Sequence, residues 1–139
     1  MLSNVGDAIP HNWEARQWVA MGDPVFKIRD IIKRENIAVF SSNCSLYGSL
    51  SEKVSSTLLS MVPTIETYSI DESFLNLGEF REREVESLAR DLRDRVQRWV
   101  GIPTCVGIAS TKTLAKVANF IAKKRPGYGG VCDLRSAAV

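Results

Sequence analysis

The sequence has little of what binds zinc, builds a disulfide framework or crosses a membrane. Its 139 residues include one histidine and three cysteines, and no two cysteines have C-x-x-C spacing. An odd, scattered set of cysteines argues against a disulfide framework and against a zinc site. No apolar run is long enough to span a bilayer, and no basic segment followed by an apolar one marks a signal peptide. We therefore expect an intracellular, cytoplasmic chain.

Internal repeats and low-complexity segments are also missing, and the composition is that of a globular domain. Hydrophobic residues make up 45% of the chain, charged residues make up 24%, and the formal net charge is +2. That charge is unevenly distributed, because every charged residue from Arg95 to Arg125 is basic. A basic segment beside an acidic site fits a phosphate-bearing partner, although a solvated helix face produces the same pattern.

Two adjacent carboxylates, Asp71 and Glu72, interrupt a stretch of β-forming residues. A buried carboxylate must be paired, protonated or bound to metal, so these two are either solvated at a turn or involved in chemistry. Successive side chains of a strand point to opposite faces, and both acids therefore reach one ion only if the backbone turns there. Carboxylates without a neighbouring His or Cys suit Mg²⁺ or Mn²⁺ rather than zinc. The alternative is a polar turn between two strands.

Hydrophobic periodicity predicts helices that alternate with strands. The strongest helix covers residues 82–100 and ends at Gly101, and a second runs from a Ser110 or Thr111 cap to Lys124. The other predicted helices are 13–19, 25–34 and one from a capping box at 49–52 to about residue 61. The predicted strands are 37–40, 64–70, 73–77, 104–109 and 131–134. This order predicts an α+β or α/β sheet with helices on one side.

The two best helices each have an apolar stripe and a charged face. On the first helix we expect these residues to face the core: Val85, Leu88, Ala89, Leu92, Val96 and Trp99. On the second we expect Leu114, Val117, Ala118 and Ile121 to do so. Lys112, Lys116 and Lys123 are spaced by four and by seven residues, so they share roughly one face of that helix.

Five short motifs follow one another along the chain. They are Glu14-Ala15-Arg16, residues 21–27 (MGDPVFK), Ser41-Ser42-Asn43 with Leu46-Tyr47-Gly48, residues 68–74 (YSIDESF), and residues 106–109 (VGIA) with 111–116 (TKTLAK). In this order they resemble the Y-family DNA polymerases, the error-prone translesion enzymes, and most closely their bacterial UmuC-like branch. The resemblance covers nearly the whole chain from Glu14 onward, and the S-I-D-E core is its most specific part.

The resemblance implies a polymerase palm at residues 46–139, an α+β domain whose antiparallel or mixed sheet has helices packed on one face. It implies a partial fingers region at residues 1–45. Asp71 and Glu72 would be catalytic, as two of the three acids that hold two Mg²⁺ (or Mn²⁺) ions for nucleotidyl transfer.

The same resemblance implies binding roles for four basic residues. Arg16 and Lys123 would bind the triphosphate of the incoming nucleotide. Lys112 and Lys116 would attract the DNA backbone. The implied partners are a DNA primer-template and a dNTP.

The resemblance is incomplete at both ends of the chain. The family's first strand, D-x-N-x-F-Y, carries the third metal acid and has no match here, because Asp7 lies in a Gly-Asp-Ala context. The thumb and little-finger domains would follow Leu134. We therefore expect a fragment of an SOS-type repair polymerase with little or no activity alone, and an exposed sheet edge that allows self-association. A non-catalytic DNA- or protein-binding module that uses the basic helix is a second hypothesis, and a metal-dependent phosphohydrolase is a third.

Overall fold

The computed structural model describes residues 14–135, so expectations for residues 1–13, including that for Asp7, lie outside the described residues. The chain divides into two compact units with the boundary between Ser45 and Leu46. Across the described range, no helix has the length and apolar character needed to span a bilayer.

The first unit consists of short helical segments around a small apolar core. Two 3₁₀ turns, Ala15–Gln17 and Val25–Lys27, precede helix α1 (Arg29–Arg34). The predicted helix at 13–19 is thus reduced to one turn, and that at 25–34 is divided in two. The core residues of this unit are Val19 and Ile28, packed with Ile31, Ile32 and Ile37.

The strand predicted at residues 37–40 is wrong. The segment is irregular, and Val39 and Phe40 are 41% and 70% exposed. Among the described residues of the first unit, β pairing is limited to isolated bridge positions at Pro24 and Ser41, which do not extend into a strand over 37–40. A four-residue apolar run has no periodicity that would separate a strand from a coil.

The second unit, together with the first two residues of α2 at its start, has helices and strands in alternation, which confirms the α+β class. The elements are α2 (Cys44–Leu59), β1 (Ile65–Thr67), β2 (Ser73–Leu75), α3 (Glu82–Val100), β3 (Val106–Ile108), α4 (Lys112–Lys124), a 3₁₀ turn (Pro126–Tyr128) and β4 (Val131–Asp133). Within residues 14–135 the strands form two separate two-stranded sheets. Strands β1 and β2 form an antiparallel hairpin, and β3 and β4 form a parallel pair.

Helix α2 begins earlier than predicted. It starts at Cys44, so Ser49 and Glu52 lie in its interior and do not form a capping box. Serine and glycine in the interior of a helix each cost less than about 1 kcal/mol relative to alanine, which the rest of the helix can offset. A Ser- and Gly-rich composition was therefore a poor guide to this boundary.

Helix α3 begins and ends where its periodicity predicts. Gly101 caps it in the left-handed conformation, with φ of 79°, and donates its backbone N–H to the carbonyl oxygen of Gln97 at 3.1 Å. Trp99 is the exception on its apolar stripe, because it is 66% exposed. Its ring centroid lies 5.0 Å from the Arg95 guanidinium, so it stacks on a cation instead of packing into the core.

The β3–β4 pair lies between α3 and α4. One core cluster joins α3 to this pair through Val85, Ala89, Ile108 and Val131, with Val106 packed against it. Cys132 instead packs against Ala118 and Ala122 of α4. Because successive strand residues point to opposite faces, the two helices cover opposite faces of the pair. At the β3–β4 pair this differs from the expected arrangement, in which the helices pack on one face of the sheet.

Helix α4 approaches β3 closely at Gly107. A Cβ atom at this position would lie 2.2 Å from both the Ala115 carbonyl oxygen and the Asn119 backbone nitrogen. The predicted core residues Ala118 and Ile121 pack against Cys132 on this side of the helix. Leu114 and Val117, which were also predicted to face the core, are 37% and 46% exposed. The predicted cap is confirmed, because Thr111 Oγ1 accepts a hydrogen bond from the Leu114 N–H at 3.3 Å.

We expect Gly107→Ala to lower the free energy of unfolding by about 3 kcal/mol, because the new methyl group overlaps backbone atoms that cannot rotate away. Urea denaturation measures this. Gly48→Ala is the matched control: its Cβ would meet nothing within 4 Å in α2, so it should stabilise by up to about 1 kcal/mol. Equal stability of Gly107→Ala and the parent chain would contradict the close contact.

Candidate metal centre

The β1–β2 hairpin places the two adjacent carboxylates at a turn. In its register Ile65 is opposite Leu75, Glu66 opposite Phe74 and Thr67 opposite Ser73. The loop between the strands closes through the backbone N–H groups of Tyr68 and Ser69, which both donate to the carbonyl oxygen of Glu72 at 3.0 Å. The backbone therefore turns at the acidic pair, which is the condition for both carboxylates to reach one ion.

The two carboxylates have different surroundings. Asp71 is exposed, and its Oδ1 accepts a hydrogen bond from the Ser69 hydroxyl at 2.7 Å. Glu72 is half-buried, and its Oε2 lies 3.0 Å from Lys116 Nζ. Both side chains remain accessible to an ion from solvent.

Helix α4 faces the hairpin with two lysines one turn apart. Lys112 Nζ lies 2.5 Å from Glu66 Oε2, so Lys112, like Lys116, forms an ion pair with a carboxylate of the hairpin. The lysines also lie over aromatic rings: Lys116 Nζ is 4.6 Å from the Tyr68 centroid, and Lys112 Nζ is 5.5 Å from the Phe74 centroid. Those two rings meet edge to face, with centroids 5.6 Å apart. Each lysine is thus held by one carboxylate and one ring.

The charge on Lys116 is reinforced by its neighbours. The hydrogen bond to Glu72 raises the pKa of Lys116 above its ordinary value, and desolvation acts in the opposite direction. The negative charges of Glu72 and Asp71 raise the pKa of Lys116 further. Lys116 is therefore a full cation beside the acidic turn at neutral pH.

A groove of about 550 Å³ separates the hairpin from α4. Its lining residues are Glu66, Tyr68 and Phe74 from the hairpin, and Lys112, Thr113, Lys116, Val117 and Phe120 from the helix. Sequence reasoning missed the parts played by Glu66 and Phe120. The sequence does contain a signal for each. Glu66 lies two residues before Tyr68, on the same face of the predicted strand, and Phe120 lies four residues after Lys116, on the same face of the helix.

The structure brings some of the predicted site residues together and leaves others apart. The acidic pair, Lys112 and Lys116 lie at the interface of the hairpin and α4. Lys123 is exposed in the last turn of α4, outside the groove lining and about 10 Å along the helix axis from Lys116. Arg16 is exposed in a 3₁₀ turn of the first unit.

The donor chemistry of the turn suits a hard divalent cation. Carboxylate oxygens are the ligands that Mg²⁺ and Mn²⁺ prefer. Between Glu14 and Arg135, no group of three or more His, Cys, Asp or Glu side chains could hold a metal ion. Within these residues the acidic pair could supply at most two carboxylate ligands, and water or substrate oxygens would have to complete the coordination of an ion there.

Comparison with known proteins identifies the family. A sequence model described as the impB/mucB/samB family matches residues 8–119. The chain belongs to this family. Among its relatives, MucB of Escherichia coli is 42% identical over 140 residues, which is 99% of this chain, and UmuC of Salmonella typhimurium is 42% identical over 137 residues, or 96% of this chain. The chain spans about a third of the length of these curated relatives, 33% and 32%.

Solved structures agree with the family. A Dbh ternary complex has a TM-score of 0.78 and 26% identity, over 95% of this chain and 39% of that one. A DinB-family error-prone DNA polymerase from Sulfolobus solfataricus has a TM-score of 0.75 and 27% identity, over 96% of this chain and 39% of that one. The resemblance to Y-family polymerases and the palm-like α+β fold are thereby confirmed. Such polymerases are nucleotidyltransferases that generally use divalent metal ions.

The ion pairs between α4 and the hairpin should be weak. The side chains of Lys112 and Glu66 are 60% and 56% exposed, so a double-mutant cycle with Glu66→Gln and Lys112→Gln should give a coupling energy of about 0.2–1 kcal/mol. We expect this coupling to shrink in about 1 M salt, where charges are screened within about 3 Å. The control pairs Glu66→Gln with Lys123→Gln and should give none. A coupling above about 2 kcal/mol, or one indifferent to salt, would contradict this description.

Proposed function

We propose that this chain forms the palm, at residues 46–139, and part of the fingers, at residues 1–45, of an error-prone Y-family DNA polymerase. The activity would be template-directed nucleotidyl transfer past DNA lesions, as in SOS-type repair, and a cytoplasmic location would go with it. The observation that carries the proposal is the turn of Asp71 and Glu72, in a chain of the impB/mucB/samB family. A further relative, DNA polymerase IV of Clostridium acetobutylicum, is 31% identical over 106 residues.

Asp71 and Glu72 would hold Mg²⁺, or Mn²⁺ in its place, because two accessible carboxylates at a turn fit a hard cation. An ion held by Asp71 and Glu72 would supply charge stabilisation for the attack of a primer 3′-hydroxyl on the α-phosphate of a nucleotide. The Ser69 hydroxyl orients the Asp71 carboxylate through its 2.7 Å hydrogen bond. The two backbone donors to the Glu72 carbonyl fix the loop from which both acids project.

The basic residues would bind the phosphates of the two substrates. Arg16 and Lys123 would contact the triphosphate of a dNTP, and both are exposed. Lys112 and Lys116 would attract the backbone of the primer-template. Their ion pairs with Glu66 and Glu72 are solvent-accessible, so a phosphate can compete for each ammonium group.

The second hypothesis, a non-catalytic binding module, is not favoured, because the named relatives include DNA polymerases. The self-association expected from an exposed sheet edge finds no support in the comparisons.

A graft tests the proposal. The part of this chain that matches Dbh DNA polymerase, 91% of its residues at a TM-score of 0.75, replaces the corresponding part of that enzyme. The recipient keeps all of its own residues outside the match, including its first strand, which would supply the third metal acid. We expect the chimera to extend a primer in a template-dependent way with Mg²⁺ or Mn²⁺. Asp71→Asn or Glu72→Gln in the chimera should slow extension by about 100-fold or more, because a lost ligand removes several kcal/mol of charge stabilisation.

Glu66→Gln is the matched control for this graft, since it removes a carboxylate from the same hairpin outside the acidic pair. It should leave most of the extension rate intact. A chimera that melts cooperatively but incorporates no nucleotide, or one in which Asp71→Asn keeps the full rate, would contradict the proposed function.

A further inference from the structure

The Lys116 side chain forms an ion pair with Glu72, one of the two proposed metal ligands. Its ammonium nitrogen lies 3.0 Å from Glu72 Oε2, with the Tyr68 ring centroid 4.6 Å away. We propose that Lys116 is a tethered counter-ion, which a divalent metal ion must displace from Glu72, so that this lysine sets the metal affinity of the turn. The inference rests on the proposed function in one respect, because it takes Asp71 and Glu72 as the metal ligands.

The ion pair is weak enough to be displaced. The Lys116 and Glu72 side chains are 45% and 36% exposed, and pairs with such exposure form with equilibrium constants of only about 1.5 to 5. A divalent ion has twice the charge of the ammonium group and can contact both carboxylates. The lysine therefore lowers metal affinity without blocking the site.

Repulsion acts in the same direction as competition. A metal ion at Asp71 and Glu72 would lie within a few ångströms of an ammonium that still contacted Glu72, and like charges at that distance repel even in water. Both effects predict that metal binds more tightly when the Lys116 charge is removed. A residue with only a structural role would leave the affinity unchanged or lower it.

The displaced ammonium also has a role in charge balance. Asp71, Glu72 and Lys116 together have a charge of −1, so a bound divalent ion leaves a local surplus of +1. Lys116, freed from Glu72, is then available to a phosphate oxygen beside the metal. Metal entry would thereby prepare the turn for an anionic substrate.

Helix α4 offers a matched control for the test. Lys112 lies one turn before Lys116 and pairs with Glu66, and its side chain is similarly exposed at 60%. Lys112→Ala removes the same charge from the same helix face but leaves the Glu72 pair in place.

The test measures Mn²⁺ binding to the 139-residue chain by water-proton relaxation. Lys116→Ala should bind Mn²⁺ about threefold to tenfold more tightly than the parent chain. Lys112→Ala should stay within about twofold of the parent, and Lys116→Arg, which keeps the charge, should do the same. Lys116→Gln keeps more of the aliphatic stem and repeats the measurement if the alanine variant is unstable.

Two results would overturn the inference, and they are distinguishable. Equal or weaker Mn²⁺ binding by Lys116→Ala and Lys116→Gln, relative to Lys112→Ala, overturns the counter-ion role and leaves the acidic turn as a metal site. Mn²⁺ binding that is unchanged by Asp71→Asn combined with Glu72→Gln overturns both the counter-ion role and the metal site of the proposed function.

Discussion

The close contact between helix α4 and the backbone of β3 is the constraint on which the rest of the site depends. Gly107 has no side chain, so Ala115 and Asn119 approach within a distance that no other residue at that position would permit. Ala118 and Ala122 bury the same side of the helix. With that side fixed, the opposite side of α4 faces the β1–β2 hairpin. One helix therefore joins the packed core to the charged groove, and a shift in its packing would move the lysines.

The groove also shows how two adjacent acids are accommodated in a small domain. Lys116 and Lys112 each neutralise one carboxylate of the hairpin, while Asp71 stays exposed with a hydroxyl donor. These ion pairs are weak because they are exposed, so a metal ion or a phosphate group can replace them. Two lysines of the basic segment, Lys112 and Lys116, thus form ion pairs with carboxylates of the hairpin. Because these pairs are exposed, an anion can compete for the same ammonium groups.

The sequence predicted those features whose signals were local. Helix α3 was predicted to the residue, because a 3.6-residue apolar period and a glycine cap agree. The start of α2 was predicted too late in the chain. Its serine and glycine residues suggested a loop, but their cost in helix propensity is small enough for the other residues of the helix to offset. On α4 the predicted core residues Ala118 and Ile121 do pack against the strand pair, but Leu114 and Val117 do not, because the helix backbone itself approaches Gly107. The acidic turn was evident, but its partners were not: Lys112 and Glu66 are 46 positions apart, and no local pattern connects them.

The most direct test of the acidic turn as a metal site is an NMR titration of the 139-residue chain with substoichiometric Mn²⁺, which broadens the signals of nearby amides. We predict the strongest broadening at residues 69–73 of the hairpin loop, followed by residues 112–116 at the start of α4. Broadening centred on the exposed acids at the start of α3, or spread evenly over all acidic residues, would contradict the assignment of Asp71 and Glu72 as a shared metal site.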